Sequence, residues 1–178
     1  MQIQILPVTL EEKPVLANLL ELYSHDFCDF LELELHRDGR FGYRNLDLYW
    51  TDPGRYPFLV KLEGRLAGFV LVGALIEGAS REQIWDMAEF FILRGWRGRG
   101  IGTGVAHAVW RRFPGRWQVR VMALNVPAHR FWNRAISSFT SEVNRSTQTD
   151  EGRVSWHVFS FRVDAAAHVQ DGVDGETN

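Results

Sequence analysis

The sequence predicts a single mixed α/β domain built on a central, mostly antiparallel sheet. Three observations point there. A length of 178 residues suits one domain with a sizeable core. Short runs with apolar residues at every second position alternate with stretches of helical periodicity. Near the middle, a strand, a helix and a second strand follow one another at the length of a parallel crossover. At 46% hydrophobic and 24% charged residues the composition is that of a globular protein, which excludes a disordered, collagenous or disulfide-scaffold chain.

In chain order, Gln2 to Val8 carries Ile3 and Ile5 in alternation and reads as a short strand ending near Pro7. Thr9 and Glu12 have the spacing of a capping box, and Val15, Leu16, Leu19, Leu20 and Tyr23 follow at helical intervals. Residues 26 to 36 are ambiguous, and the glycines and proline up to residue 56 mark a loop-rich stretch. Phe58, Val60 and Leu62 then alternate up to Glu63-Gly64, a turn signal, and Leu66 to Leu75 is almost continuously apolar, so the pair reads as a hairpin.

Gln83 to Leu93 is a third strand, and Trp117, Val119, Val121 and Ala123 define another. Between them, Ile101, Val105, Ala106, Val109 and Trp110 form one face of a helix that stops at Pro114-Gly115. Pro127 opens a short helix through Ala135; Ser138 to Val143 and Val154 to Val163 read as closing strands joined by a turn at Ser146 to Gly152. The domain is therefore placed at residues 1–163, with 164–178 an acidic, disordered tail.

Charge narrows the partners. Twenty Lys and Arg against 22 Asp and Glu give a formal net charge of −2, which argues against a coat for nucleic acid or for an anionic membrane. Four acids and no Lys or Arg lie in the tail, so residues 1–163 alone carry +2. The single Cys28 forms no internal disulfide, and without a basic-then-apolar leader the chain is expected to be cytoplasmic. The longest apolar stretches fall short of the roughly 20 residues of a spanning helix, and no membrane partner is expected. The histidines show no zinc spacing, so no metal is expected. The neighbours Ser24, His25 and Asp26 cannot converge as a catalytic triad.

The informative segment runs from Phe90 to Gly104, where a strand enters a glycine-rich turn and then a helix. Glycines allow close backbone approach, a helix start presents unpaired N–H groups, and Arg94, Arg97 and Arg99 add positive charge, together the marks of an anion site. A Walker A loop fails because Ile101, not Lys, follows Gly100; a dinucleotide fingerprint fails at Thr103 and Val105 and lacks the later acid. What remains is Arg97-x-x-Gly100-x-Gly102, and further on Asn125-Val126-Pro127-Ala128-His129-Arg130-Phe131-Trp132.

These two segments resemble the pyrophosphate loop and the N-x-x-A-x-x-(apolar)-Tyr segment of the GNAT superfamily of acetyl-CoA-dependent N-acetyltransferases. The resemblance spans residues 84–135. It implies a splayed pair of parallel strands and acetyl-CoA as cosubstrate. Gly98, Arg99, Gly100, Ile101, Gly102 and Thr103 would cradle the pyrophosphate with Arg97, and Phe91, Ile92 and Leu93 would pair with the pantetheine. Asn125, Phe131 and Trp132 would line the opposite side. The implied reaction is direct attack of a primary amine, of a small molecule or a peptide, on the acetyl carbon.

An amine needs a base. The candidates are Glu89, which the sequence sets among apolar neighbours, and Asp86; strict alternation puts them on opposite faces, so without a bulge only one can face the acceptor. Glu89 is preferred. Trp132 stands where the superfamily usually has a tyrosine that protonates the thiolate, and indole is no comparable acid; packing against the cofactor is the expected role, with Tyr43, Tyr49 or Tyr56 left as possible acids. His25, Asp26, Asp29, Glu32, Glu34, Asp47, Tyr49 and Trp50 are the acidic and aromatic candidates for an amine site. The rival readings are a non-catalytic acyl-CoA-binding or regulatory module and a nucleic-acid binder using Arg111, Arg112, Arg116 and Arg120. A homodimer through exposed strands is a reasonable assembly.

Overall fold

The computed structural model describes residues 2–77, 81–150 and 154–165. The tail beyond residue 165 lies outside them. One seven-stranded sheet runs through the molecule, in the order β1-β2-β3-β4-β5-β7-β6. Its strands are β1 (Ile3–Pro7), β2 (Arg55–Leu62), β3 (Arg65–Glu77), β4 (Glu82–Ile92), β5 (Gly115–Met122), β6 (Val143–Thr149) and β7 (Ser155–Val163). Every neighbouring pair is antiparallel except β4 and β5, which the helix α3 (Ile101–Arg112) joins as a parallel crossover.

Helices cover the two faces. On one side α3 and α4 (Val126–Ser137) bury Val105, Val109, Trp110, Trp132 and Ile136 against Val70, Val119 and Phe159. On the other, α1 (Lys13–Phe27) and the short α2 (Leu48–Thr51) bury Leu16, Leu19, Leu20 and Tyr49 against Leu59, Phe69 and Phe91. These are the apolar positions that the alternation and the helical spacing single out. The Thr9–Glu12 box forms reciprocally, each backbone N–H bonding the other's side chain, in the turn just before α1. The Glu63-Gly64 hairpin forms with both residues at positive φ, the geometry that matches strand twist.

Two boundaries differ from the expectation. Ser138 to Thr140 close α4 rather than opening a strand, with the amides of Ser138 and Thr140 and the Ser138 hydroxyl all bonding carbonyls of the last helical turn. The strand begins at Val143 and runs through the expected turn at Ser146, because β6 is an edge whose mostly exposed side chains need not be apolar. The loop-rich stretch also contains α2, whose four residues are too few to show a period. Among the described residues, no helix is long and apolar enough to cross a membrane, and no group of three or more His, Cys, Asp or Glu could hold a metal.

Candidate active site

The parallel pairing of β4 with β5 covers only Ile84–Asp86 against Arg116–Gln118. Beyond Asp86 the two strands part, and a cavity of about 600 Å³ opens alongside the far half of β4. Its lining includes Phe90, Phe91 and Ile92 of β4, Gly98, Gly100, Gly102 and Thr103 of the loop and α3, and Asn125, Phe131 and Trp132 at α4. Most of the residues expected around a cofactor thus line one cavity. Tyr23, Asp26, Phe27, Asp29 and Phe30 close it from the α1 side.

Local geometry explains the loop. Leu93 leaves the sheet into a single 3-10 turn at Arg94–Trp96, and Gly100 then caps α3 at φ 76°, a left-handed conformation that costs glycine least. An added Cβ at Gly98 or Gly100 meets nothing within 4 Å, so these backbones face open space. The first amide bonded within the helix is that of Gly104, to the Gly100 carbonyl; those of Ile101, Gly102 and Thr103 project ahead of it. A helix start with free amides at a cavity rim suits an anionic group.

The arginines are arranged differently from the expectation. Arg94 and Arg97 each bond the Asp26 carboxylate at 2.7 Å, so they are tied to the end of α1 rather than simply presented to a ligand. Burial raises the pKa of Asp26 somewhat, but the hydrogen bonds from Arg97 and Arg94 outweigh it and hold the carboxyl below its ordinary value. Asp26 is therefore part of the loop's charge balance and not a free acid for an amine. Arg97 also donates to the Ile92 carbonyl at 2.6 Å, while Arg99 stacks on Trp96. Leu93, Arg99 and Ile101 stand outside the cavity lining; the Leu93 amide bonds Ala67, and the Ile101 side chain is buried in the core.

The carboxylate pair shows what alternation alone misses. The β3–β4 register slips between Leu71, opposite Glu89, and Val72, opposite Met87, leaving Ala88 as a bulge. Phe90 and Ile92 therefore share a face with Met87, whereas Glu89 and Phe91 join the α1 face. The same slip brings Asp86 and Glu89 to one face of β4, and the charge of Asp86 acts on Glu89. Asp86 is 3% exposed and accepts a bond from Arg120 at 3.0 Å; its other oxygen, Oδ1, has no hydrogen-bond partner among the described residues. Burial raises the pKa of Glu89 above the ordinary carboxylate value; bonds from Tyr23 and Tyr43 oppose that rise, the charge of Asp86 adds to it and Arg120 opposes it.

Tyr23 is the functional candidate that the sequence reading passed over. Its hydroxyl donates to Glu89 Oε2, and that of Tyr43 donates to Oε1 at 3.0 Å. The available signal was a phenol at a buried helical position, which needs a partner for its hydroxyl. Tyr56 packs on Trp85 and Phe113, away from this site. Trp132 is 6% exposed and packs edge-on to Phe90, as a packing residue would. Of the remaining amine-site candidates, Asp29 lines the cavity, Asp47 pairs with Lys13, and Trp50 donates to the Val8 carbonyl.

A cleft between parting parallel strands, beside a glycine-capped helix start, is the arrangement that the resemblance to acetyltransferases implies. The Acetyltransferase (GNAT) family matches residues 16–136, and the chain belongs to that family. Comparison with curated protein sequences finds no match. Among solved structures, an acetyltransferase from Thermus thermophilus is similar at a TM-score of 0.64 and 19% identity, covering 92% of this chain and 98% of that one. NAA60 of Arabidopsis thaliana in complex with acetyl-CoA is similar at 0.58 and 15%, covering 91% and 100%. RimL, a ribosomal α-N-protein acetyltransferase in complex with coenzyme A, is similar at 0.62 and 13%, covering 93% and 97%. At these identities the structures share the fold.

Proposed function

We propose that this acetyltransferase moves the acetyl group of acetyl-CoA to a primary amine of a small molecule or peptide by direct attack, with Glu89 as the base. The observation that carries this reading is the parting of β4 and β5 beyond Asp86, which frees strand backbone beside a helix start that suits a pyrophosphate. The residues fit such a cosubstrate. The amides of Gly98 to Thr103 would hold its phosphates, Arg97 would add charge and Phe91 to Leu93 would lie along the pantetheine.

The Leu93 amide points to β3, so by alternation the Ile92 amide points toward the opened side. There it would stabilise negative charge developing on the acetyl oxygen. The Asn125 side-chain oxygen accepts from the Ala128 amide at 3.0 Å, which fixes the start of α4 against the cleft. Bound acetyl-CoA supplies an activated thioester whose thiolate is a good leaving group. Burial raises the Glu89 pKa above the ordinary carboxylate value, toward that of a useful base for an ammonium, and the charge of Asp86 acts on it as the second carboxylate. CoA-thiol release measured against a panel of amines tests the assignment. Turnover on at least one amine supports it, and acetyl-CoA binding without turnover on any supports a non-catalytic module.

A further inference from the structure

Resting on that reading, we propose that Tyr23 is the group through which the amine's proton leaves: its hydroxyl accepts a proton from the acceptor ammonium while passing its own to Glu89. Tyr43 holds the receiving carboxylate in place. Tyr23 lines the 600 Å³ cavity, and Glu89 is not among the lining residues. Both oxygens of Glu89 already accept from phenols, Oε2 from Tyr23 and Oε1 from Tyr43. A proton leaving the cavity for Glu89 therefore meets Tyr23 first.

The Tyr23 ring is held for this task. It packs edge-on against Phe69 and Phe91, at 5.7 and 5.8 Å between centroids, and against Phe27 at 4.7 Å. Burial, and then the charge of Glu89, push the Tyr23 pKa well above its ordinary value, so the phenol is not itself a base and serves only by giving one proton as it takes another. The groups around Glu89 are Tyr23 from α1, Tyr43 from the loop, Asp86 on β4 and Arg120 on β5. Tyr49 from α2 lies beside Tyr43, with Arg55 of β2 next to it.

Atoms and charges balance. One N–H bond of the ammonium breaks and an O–H forms at Tyr23; the former Tyr23 O–H breaks and one forms on Glu89 Oε2, leaving a neutral amine. As the C–N bond forms and the C–S bond breaks, a second amine proton goes to the thiolate sulfur. Glu89 returns the first proton to solvent, giving amide, thiol and one proton. No oxidant or reductant is involved.

The test compares Tyr23→Phe and Tyr43→Phe with wild type over pH, with acetyl-CoA affinity and the Glu89 carboxyl titration followed by ¹³C NMR. Each variant deletes a bond that favours the charged carboxylate, so each is expected to raise the Glu89 pKa. Tyr43→Phe, which loosens the receiving carboxylate but leaves the Tyr23 path intact, should keep a plateau within about tenfold of wild type above its shifted acid limb. Tyr23→Phe should stay about 100-fold low at every pH with acetyl-CoA affinity unchanged. A Tyr23→Phe enzyme that reaches the wild-type plateau, or equal plateau losses in both variants, would overturn the relay. Should Tyr23→Phe not fold, single-turnover rates of wild type in H2O/D2O mixtures decide: a curved dependence on deuterium fraction supports two protons in one step, and a linear one contradicts it. Wild type inactive on every amine would instead overturn the acetyltransfer reading beneath the proposal.

Discussion

An added Cβ at Gly68 would lie 2.0 Å from the carbonyl oxygen of Phe91, closer than any real contact, so β3 can approach β4 here only with glycine. Gly68 pairs with Ile92, and the contact lies in the stretch of β4 that borders the cleft. Gly68→Ala must push Phe91 and Ile92 aside. The expected result is a loss of about 1–3 kcal/mol in stability, read from denaturant unfolding, with acetyl-CoA affinity weakened at least severalfold. Wild-type affinity in a folded Gly68→Ala protein would show that the backbone at Phe91 and Ile92 does not contact the cosubstrate.

The clasp of Asp26 on Arg94 and Arg97 sets the charge of the loop. Asp26→Asn keeps an acceptor for the guanidinium groups but removes a negative charge from the cavity wall. CoA, a polyanion, should then bind about two- to fivefold tighter at low ionic strength, with the gain fading as salt is added. Weaker binding by calorimetry would mean that the clasp acts by orienting Arg97 rather than by neutralising it.

The raised pKa of Glu89 has two consequences with opposite signs. Turnover should rise with pH as Glu89 loses its proton, at a pH above the ordinary carboxylate range of about 4. Stability should fall over the same interval, because between the unfolded and the folded pKa the native state holds more protons than the unfolded chain. Glu89→Gln should flatten both dependences and leave acetyl-CoA affinity as it is. An unchanged pH profile of turnover would move the base to Asp86 or to water.

Trp132 supplies packing, not a proton. It touches Phe90 at 4.9 Å and Phe131 at 4.8 Å between ring centroids, and it stands where the superfamily usually has tyrosine. Trp132→Phe should cost about 1–3 kcal/mol through the space it leaves, lowering Tm. Its kcat should stay within about threefold of wild type. A loss of 100-fold or more in kcat, without loss of acetyl-CoA affinity, would give the indole a chemical part.

Much of this site was legible in residues 90–104 and 125–132, because glycine, arginine and asparagine at a strand-to-helix junction have few other uses. The bulge at Ala88 was not legible: nothing in its local composition breaks the alternation, and only the pairing with Leu71 and Val72 reveals the slip. That one extra residue decides which face Glu89 occupies. Tyr23 was hidden for a related reason. On a helix its position reads as core, and its partner Glu89 lies 66 residues away in sequence. Strand β6 escaped because a polar edge carries no hydrophobic period.

The most direct test of the account is the release of CoA thiol when the protein is mixed with acetyl-CoA and a panel of primary amines, small molecules and peptide N-termini alike. The account predicts turnover on at least one acceptor, lost in Glu89→Gln while acetyl-CoA still binds. Saturable acetyl-CoA binding with no release on any acceptor would contradict it.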